Sequence, residues 1–242
     1  MSKDQQSDLE PVAAYDRVAA YFDAIRNNRQ RYCDAIDAII LANLPHQARS
    51  MLDVGCGEGH RAESLASRAL VQELVLVEPS VGMRKLMRTE REVWPVRIED
   101  VSGTDRRFDV ITCLWNVLGH VSSPEKRLNA LRNMRALLSP GGALFLDVQN
   151  RYNARHYGRI RTSARMFYDV FRPSADNGDV TVQWHTKIGA VRAYGHVFTP
   201  KEMVVLFREA RLNIRKSFMI DYATGQERRS RFDGSMFFIL EA

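Results

Sequence analysis

Apolar positions along this chain follow two alternating periods. Val12, Tyr15, Val18, Ala19, Phe22 and Ile25 stand three to four residues apart, which predicts a helix over 9–25. A second helical stretch, 31–44, stops at Pro45. Ser50-Met51-Leu52-Asp53-Val54 then reads as a short strand running into a glycine-rich turn. Beyond it the pattern alternates: helix over 60–70, a nearly all-apolar strand over 73–77, helix over 82–90, strands over 93–98 and 108–114, helix over 124–138, strand over 143–148. Strands apolar on both faces and linked through helices imply an open parallel sheet covered on both sides, with right-handed crossovers. Ligands of such sheets bind beyond the carboxyl ends of the strands. In this chain those ends are 53–59, 78–80, 98–101, 114–120 and 147–150, and the unusual residues fall there.

The rhythm breaks after Asn150. Residues 151–171 read as one helix rich in Arg and Tyr, closed by Arg172-Pro173. Residues 181–186 and 190–198 read as a hairpin about Lys187-Ile188-Gly189. Thr199-Pro200 then caps a helix over 201–210, and strands near 213–220 and 236–240 complete the sheet. This divides the chain into N-terminal helices (1–45), a sheet domain (46–149 and 200–242) and an insertion or lid (150–199).

Composition removes several classes. The 242 residues are 45% hydrophobic and 26% charged, which excludes collagen-like, low-complexity and largely disordered chains. Cys33, Cys56 and Cys113 are odd in number and form no C-x-x-C pair, so neither a disulfide framework nor a metal site is expected, and a cytoplasmic location is. Residues 1–8 are polar, and no stretch approaches the roughly 20 apolar residues of a membrane span. No membrane partner is expected. Charge is uneven: residues 1–150 hold 19 Lys+Arg against 20 Asp+Glu, whereas 151–242 hold 16 against 9, a net of +7.

The strongest motif is Leu52-Asp53-Val54-Gly55-Cys56-Gly57-Glu58-Gly59-His60. Glycines after a strand let the backbone turn tightly and approach a ligand. The dinucleotide fingerprint G-x-G-x-x-G requires glycine at 60, where His60 stands. Asp53 and Glu58 are also badly placed beside a pyrophosphate and well placed beside a cation. A nicotinamide-dependent oxidoreductase, which would share the fold, is disfavoured on this ground.

The strand followed by D-V-G-C-G-E-G and a helix resembles motif I of the class I S-adenosylmethionine-dependent methyltransferases, most closely over 50–150. The resemblance implies a Rossmann-like, seven-stranded, mostly parallel sheet with helices on both faces. It implies S-adenosylmethionine as cofactor and S-adenosylhomocysteine as product, with Asp53, Gly55, Cys56, Gly57 and Gly59 along the methionine part. The residues 1–45 would then cover the cofactor. Glu78, 23 residues after Gly55, is a carboxylate able to accept both ribose hydroxyls, and the family carries an acid there. Pro79-Ser80-Val81-Gly82-Met83 resembles the family's D-x-S-x-x-M pattern, which puts Pro79 and Met83 near the adenine. Ile98 and Glu99 are the next adenine-side candidates, with Asp100 in reserve and Arg97 where many relatives have aspartate. Leu114, Trp115 and Asn116 follow the fourth strand and would flank the transferable methyl. Leu138-Ser139-Pro140-Gly141-Gly142 resembles a structural turn of the family.

Substrate-side candidates are Tyr15, His120 (a possible base), Asn150, Tyr152 and Arg155, with Asp147 and Gln149 beside them. No single catalytic residue is assigned, because in-line methyl transfer requires a base only when the acceptor is protonated. The expected function is methyl transfer to an oxygen or nitrogen of a small acidic or polar metabolite. One alternative is an RNA methyltransferase, because Arg151, Arg155 and Arg159 share a helical face, as do Arg161 and Arg165, with tyrosines between them across 151–172. The other is a binding protein without catalysis. The sequence carries no signal for oligomeric state.

Overall fold

A computed structural model describes residues 10–22, 29–186 and 189–242. Helix α1 (Pro11–Val18) starts at a proline that needs no donor, and the Glu10 carboxylate caps the Val12 N–H at 3.1 Å. It tightens into a 3-10 turn at Ala19–Tyr21. The remainder of the expected 9–25 helix lies outside the described residues, apart from Phe22. Helix α2 (Gln30–Leu41) follows. The βα alternation then runs β1 (Ser50–Val54), α3 (His60–Arg68), β2 (Glu73–Val77), α4 (Val81–Arg84), β3 (Glu92–Trp94), β4 (Phe108–Cys113), α5 (Pro124–Ala136) and β5 (Leu138–Val148).

The sheet has the order β3-β2-β1-β4-β5-β10-β8-β9, where β8 is Asn213–Ile220, β9 is Glu227–Arg228 and β10 is Ser235–Glu241. Strands β1 to β5 pair in parallel, and β10 runs antiparallel to both β5 and β8. The strand beyond the seven expected is β9, a two-residue addition at the edge. Strand order reverses between β1 and β4, and the cleft described below opens at that switch point.

Side chains alternate faces along each strand, so the sheet has a core on each side. Leu52, Val54, Leu144 and Leu146 pack with Leu131 and Met134 of α5 and with Met203 and Phe207 of α8 (Pro200–Glu209). Met51, Ala143, Phe145 and Phe237 pack on the opposite face with Ile36 and Ile40 of α2 and Leu65 of α3.

Several expected elements are shorter, each for a local reason. The 82–90 helix is one α-turn, and its continuation tightens into i→i−3 bonds from Leu86 to Met83 and from Met87 to Arg84. Strand β3 stops at Trp94 because Pro95 has no N–H to give the ladder. The expected 151–171 helix breaks at Gly158, whose φ of +84° leaves a short α6 (Ala154–Tyr157) and a separate α7 (Arg159–Phe171). Arg151, Arg155 and Arg159 therefore do not share one helical face. The hairpin pairs β6 (Asp179–Thr186) with β7 (Gly189–His196); of its expected turn, 187 and 188 lie outside the described residues. Strand β7 ends at His196 because Phe198 donates instead to the Gln149 carbonyl at the end of the main sheet, 2.8 Å away.

The hairpin and α1 pack on each other through Ala14, Val18, Trp184, Val191 and Ala193. His196 anchors the hairpin to α8, with Nδ1 2.6 Å from Asp179 and Nε2 2.9 Å from Glu202. Glu202 also closes the capping box of α8, in which Thr199 Oγ1 accepts the Glu202 N–H at 3.1 Å. Thr199→Ala should therefore cost about 1 kcal/mol, read as a lowered urea midpoint with an unchanged slope.

Candidate functional site

The turn after β1 is built to expose backbone. Gly55, Gly57 and Gly59 all have positive φ, at +69°, +61° and +81°. The Gly55 and Cys56 N–H groups both donate to the Val77 carbonyl, at 2.8 and 3.2 Å, which locks the turn to the end of β2. A Cβ on Gly55 would lie 2.5 Å from Val117 Cγ2, so no side chain fits there. At Gly57 a Cβ would project into the space between Met83 and Phe22, 3.5 Å from each.

Glu78 ties this turn to the next loop. One carboxylate oxygen accepts the Gly57 N–H at 2.9 Å, and the other accepts the Ser80 N–H at 2.8 Å. Burial pushes its carboxyl up to about 7, against the pull of those two donors. Each oxygen retains a further lone pair for a ligand hydroxyl. Asp53 is also pushed up by burial, to about 6, but its side chain lies beneath the turn, accepting from the Thr112 hydroxyl.

These elements border a cleft. Of the residues expected around a cofactor, Gly55, Gly57, Glu78 and Pro79 line it, as do Met83, Ile98, Glu99 and Trp115. Asp53, Cys56, Gly59, Leu114 and Asn116 do not. Gly59 instead ends the turn, its N–H on the Cys56 carbonyl at 3.0 Å, and Leu114 and Cys56 pack on the α2 side of the sheet. Phe22, Val117, Val121, Arg97, Pro11 and Val12 also line the cleft. Phe22 was legible only as part of an apolar helical stripe, which says nothing about what the stripe covers.

Helix α1 covers the cleft through specific contacts. Asp16 accepts hydrogen bonds from the Ser80 hydroxyl at 2.6 Å and from the Gly82 N–H at 2.7 Å. A Cβ at Gly82 would lie 2.8 Å from the Asp16 backbone, so only glycine admits this approach. Tyr15 and His120 both face the cleft. His120 Nδ1 lies 3.2 Å from the Tyr194 carbonyl and must donate to it, which leaves Nε2 to accept the Tyr15 hydroxyl at 3.3 Å. Burial lowers the His120 pKa and raises that of Tyr15 to about 12, so both are neutral near pH 7. His120 thus joins α1 to the hairpin.

Trp115 and Asn116, after β4, both adopt left-handed backbone angles, φ +63° and +58°. For a tryptophan this costs on the order of 1–3 kcal/mol and requires support. Asp147 at the end of β5 supplies it, accepting the Asn116 N–H at 3.1 Å and the Tyr32 hydroxyl at 2.5 Å. The Asn116 amide donates to the His196 carbonyl at 3.1 Å, and its carbonyl accepts the Gln149 N–H at 2.9 Å. Trp115 also borders a second, smaller pocket, walled by Tyr32, Asp147, Gln149 and Tyr222. Burial raises the Asp147 carboxyl above the usual range, and the Tyr222 hydroxyl has no hydrogen-bond partner among the described residues. The Arg29 guanidinium stands over the Trp115 and Tyr222 rings, 5.4 and 5.1 Å from their centres.

The other substrate-side candidates lie elsewhere. Asn150 donates to the Arg231 carbonyl and accepts from the Tyr152 N–H, both at 2.9 Å, bracing the chain as it leaves the sheet. The Tyr152 hydroxyl donates to Asp169 at 2.9 Å, and Arg155 pairs with Asp221 at 2.9 Å. Asp147 had a sequence signal, its place at the end of the fifth strand; Tyr32 and Tyr222 had none. Among the described residues no three His, Cys, Asp or Glu side chains gather as a metal site requires.

A methyltransferase-domain family model matches residues 24–217. The ubiquinone biosynthesis O-methyltransferase of Coxiella burnetii is 33% identical over 111 residues, covering 43% of this chain and 45% of that protein. The dTDP-4-amino-2,3,4,6-tetradeoxy-D-glucose N,N-dimethyltransferase of Saccharopolyspora spinosa is 33% identical over 136 residues, 53% of each chain. The match thus spans about half the length of these curated relatives. In fold, the chain is similar to a crystal structure of an S-adenosylmethionine-dependent methyltransferase from Clostridium acetobutylicum, with a TM-score of 0.66, 14% identity and coverage of 94% of this chain and 98% of that one. With its glycine turn, acidic second-strand end and matched family model, the chain belongs to the methyltransferase-domain family, within the class I S-adenosylmethionine-dependent methyltransferases.

Proposed function

We propose that this protein methylates an amine of a small polar metabolite, with S-adenosylmethionine in the large cleft and the acceptor in the pocket across Trp115. The observation that carries this reading is that Trp115 forms a wall of both spaces. The cleft suits the cofactor. Backbone at Gly57 faces it without a side chain, Glu78 offers free lone pairs for paired ribose hydroxyls, and Met83 and Ile98 give flat apolar walls for adenine. When bound, the cofactor supplies a methyl group already activated on a sulfonium. Carboxylates rather than an unobstructed phosphate cradle favour that cation over a dinucleotide.

The chain's own residues then position and shield. Tyr15 and Phe22 cover the cleft, and the Tyr15–His120–Tyr194 chain of hydrogen bonds holds the cover to the hairpin, keeping water from the reacting centre. An amine must arrive neutral and sheds one proton after methylation. Asp147 is the carboxylate of the acceptor pocket, and its raised pKa suits it to take that proton. The faces of Trp115 and Tyr222 already attract a guanidinium, and the methylated ammonium formed by the transfer meets the same attraction before its proton leaves. The Saccharopolyspora spinosa relative, whose name states methylation of an amino sugar, supports nitrogen as the acceptor. Residues 150–199 serve in this reading as an insertion whose hairpin packs on α1 and on the turn at 117–120. RNA has less support than the basic segment alone suggests, because Arg151 and Arg155 are engaged by Asp169 and Asp221, which leaves Arg159, Arg161 and Arg172 exposed.

Titration calorimetry should show binding of S-adenosylmethionine and S-adenosylhomocysteine and none of NAD. With the Glu78 carboxyl at about 7 and ligand binding to its ionised form, affinity is full above that pH. It should fall as pH drops through it, approaching about tenfold per unit. Glu78→Gln should weaken binding at high pH and flatten the profile.

With radiolabelled methyl donor, label should enter primary-amine metabolites rather than phenols or transfer RNA. Asp147→Asn, whose amide oxygen can still accept the Asn116 N–H, should lower kcat on the order of a hundredfold while S-adenosylhomocysteine affinity falls far less. Label confined to RNA or phenols, or full activity in that variant, refutes the assignment.

A further inference from the structure

Helix α7 (Arg159–Phe171) carries its apolar residues on the wrong side for a globular protein. Ile160 is 89% exposed, Phe167 66%, Val170 74% and Phe171 67%. At 3.6 residues per turn these four fall within an arc of roughly 120°. The face turned to the rest of the molecule is polar. Thr162 is the helix's buried residue. Asp169 is held by Arg151 at 2.7 Å and by the Tyr152 hydroxyl, and Arg165 lies over the Tyr157 ring at 4.0 Å. Polar contacts dock the helix, and its apolar stripe faces outward. Exposed apolar area concentrated in this way marks an interaction surface.

The charges around the stripe select the partner. Exposed Arg159, Arg161 and Arg172 border it. Asp169 is the single acid of the helix, and it is spent on Arg151. Pairing with a second copy of this face would bring arginines against arginines with no acid between them, which opposes a self-interface. A narrow apolar stripe on the outer surface of one helix, edged by long cationic side chains, matches the interface of an anionic bilayer. There the aromatic residues enter the acyl boundary and the arginines reach the headgroups.

We propose that α7 docks this protein peripherally on anionic membranes, with Ile160, Phe167, Val170 and Phe171 inserted at the headgroup boundary and Arg159, Arg161 and Arg172 on acidic lipid. This departs from the sequence expectation of no membrane partner. That expectation rested on the lack of a spanning segment, and no helix among the described residues is long and apolar enough to cross a bilayer. Lying in the interface is a different mode, open to a 13-residue helix.

The test is co-sedimentation of the full chain with vesicles of phosphatidylcholine alone and of equal parts phosphatidylcholine and phosphatidylglycerol. The protein should partition onto the mixed vesicles and only weakly onto phosphatidylcholine. Added salt and the pair Arg159→Glu with Arg161→Glu should each weaken partitioning, as should Phe167→Ser with Phe171→Ser, by on the order of tenfold or more for each variant pair. All four positions are exposed, so S-adenosylhomocysteine affinity should be retained and certifies the fold of each variant. A protein that stays in the supernatant with mixed vesicles overturns the proposal, as does binding unaffected by the phenylalanine pair. It also fails if sizing shows a dimer that this pair dissolves and no vesicle binding, which would identify a second copy as the occupant.

Discussion

A buried carboxylate that accepts N–H groups from two different loops sets the shape of the cleft. Glu78 holds the glycine turn after β1 against the start of α4, and without it the backbone dipoles at Gly57 and Ser80 would lack partners inside a mostly apolar wall. Burial raises its pKa, so the charge is held at a cost in stability that a bound ligand with paired hydroxyls and a cationic centre can offset. The same residue therefore braces the fold and keeps a lone pair on each oxygen at the cleft wall.

A second strained feature stands across the cleft. Trp115 and Asn116 hold left-handed conformations because Asp147, Gln149 and the His196 carbonyl each take or give a hydrogen bond there. Removing any one leaves a buried polar group unpaired, so the turn behaves as one unit. Through His196 the unit reaches Asp179 and Glu202, and through His120 the cleft reaches Tyr15 and Tyr194. The cover over the cleft is thus connected to both pockets by hydrogen bonds rather than by apolar contact alone. A cover held this way can release and re-form at lower cost than one sealed by a large apolar interface.

Helix α7 adds an opposite arrangement. Its polar side faces the protein and its apolar side faces out, so its orientation follows from the ion pair between Arg151 and Asp169 and not from burial of its stripe.

Much of this was legible in the sequence, because local rules act on neighbours along the chain. Alternating strand and helix periods gave the layered α/β order, the glycines at 55, 57 and 59 gave the tight turn after β1, and the acid at 78 gave the carboxylate that holds it. Each of these depends on φ angles or periods that a residue and its near neighbours determine. Where the reading failed, the cause was in part a local residue passed over and in part a distant group. Pro95 and Gly158 truncated elements expected to run on, yet the basic face expected over 151–159 dissolved because Asp169 and Asp221 claimed its arginines from elsewhere in the fold. Tyr32 and Tyr222 entered the second pocket from elements 115 and 75 positions away from Asp147, a proximity with no local signature. The backbone's own chemistry thus wrote the sheet and the turn into the sequence, whereas the second pocket and the outward face of α7 exist only because packing brought remote side chains together or left them without company.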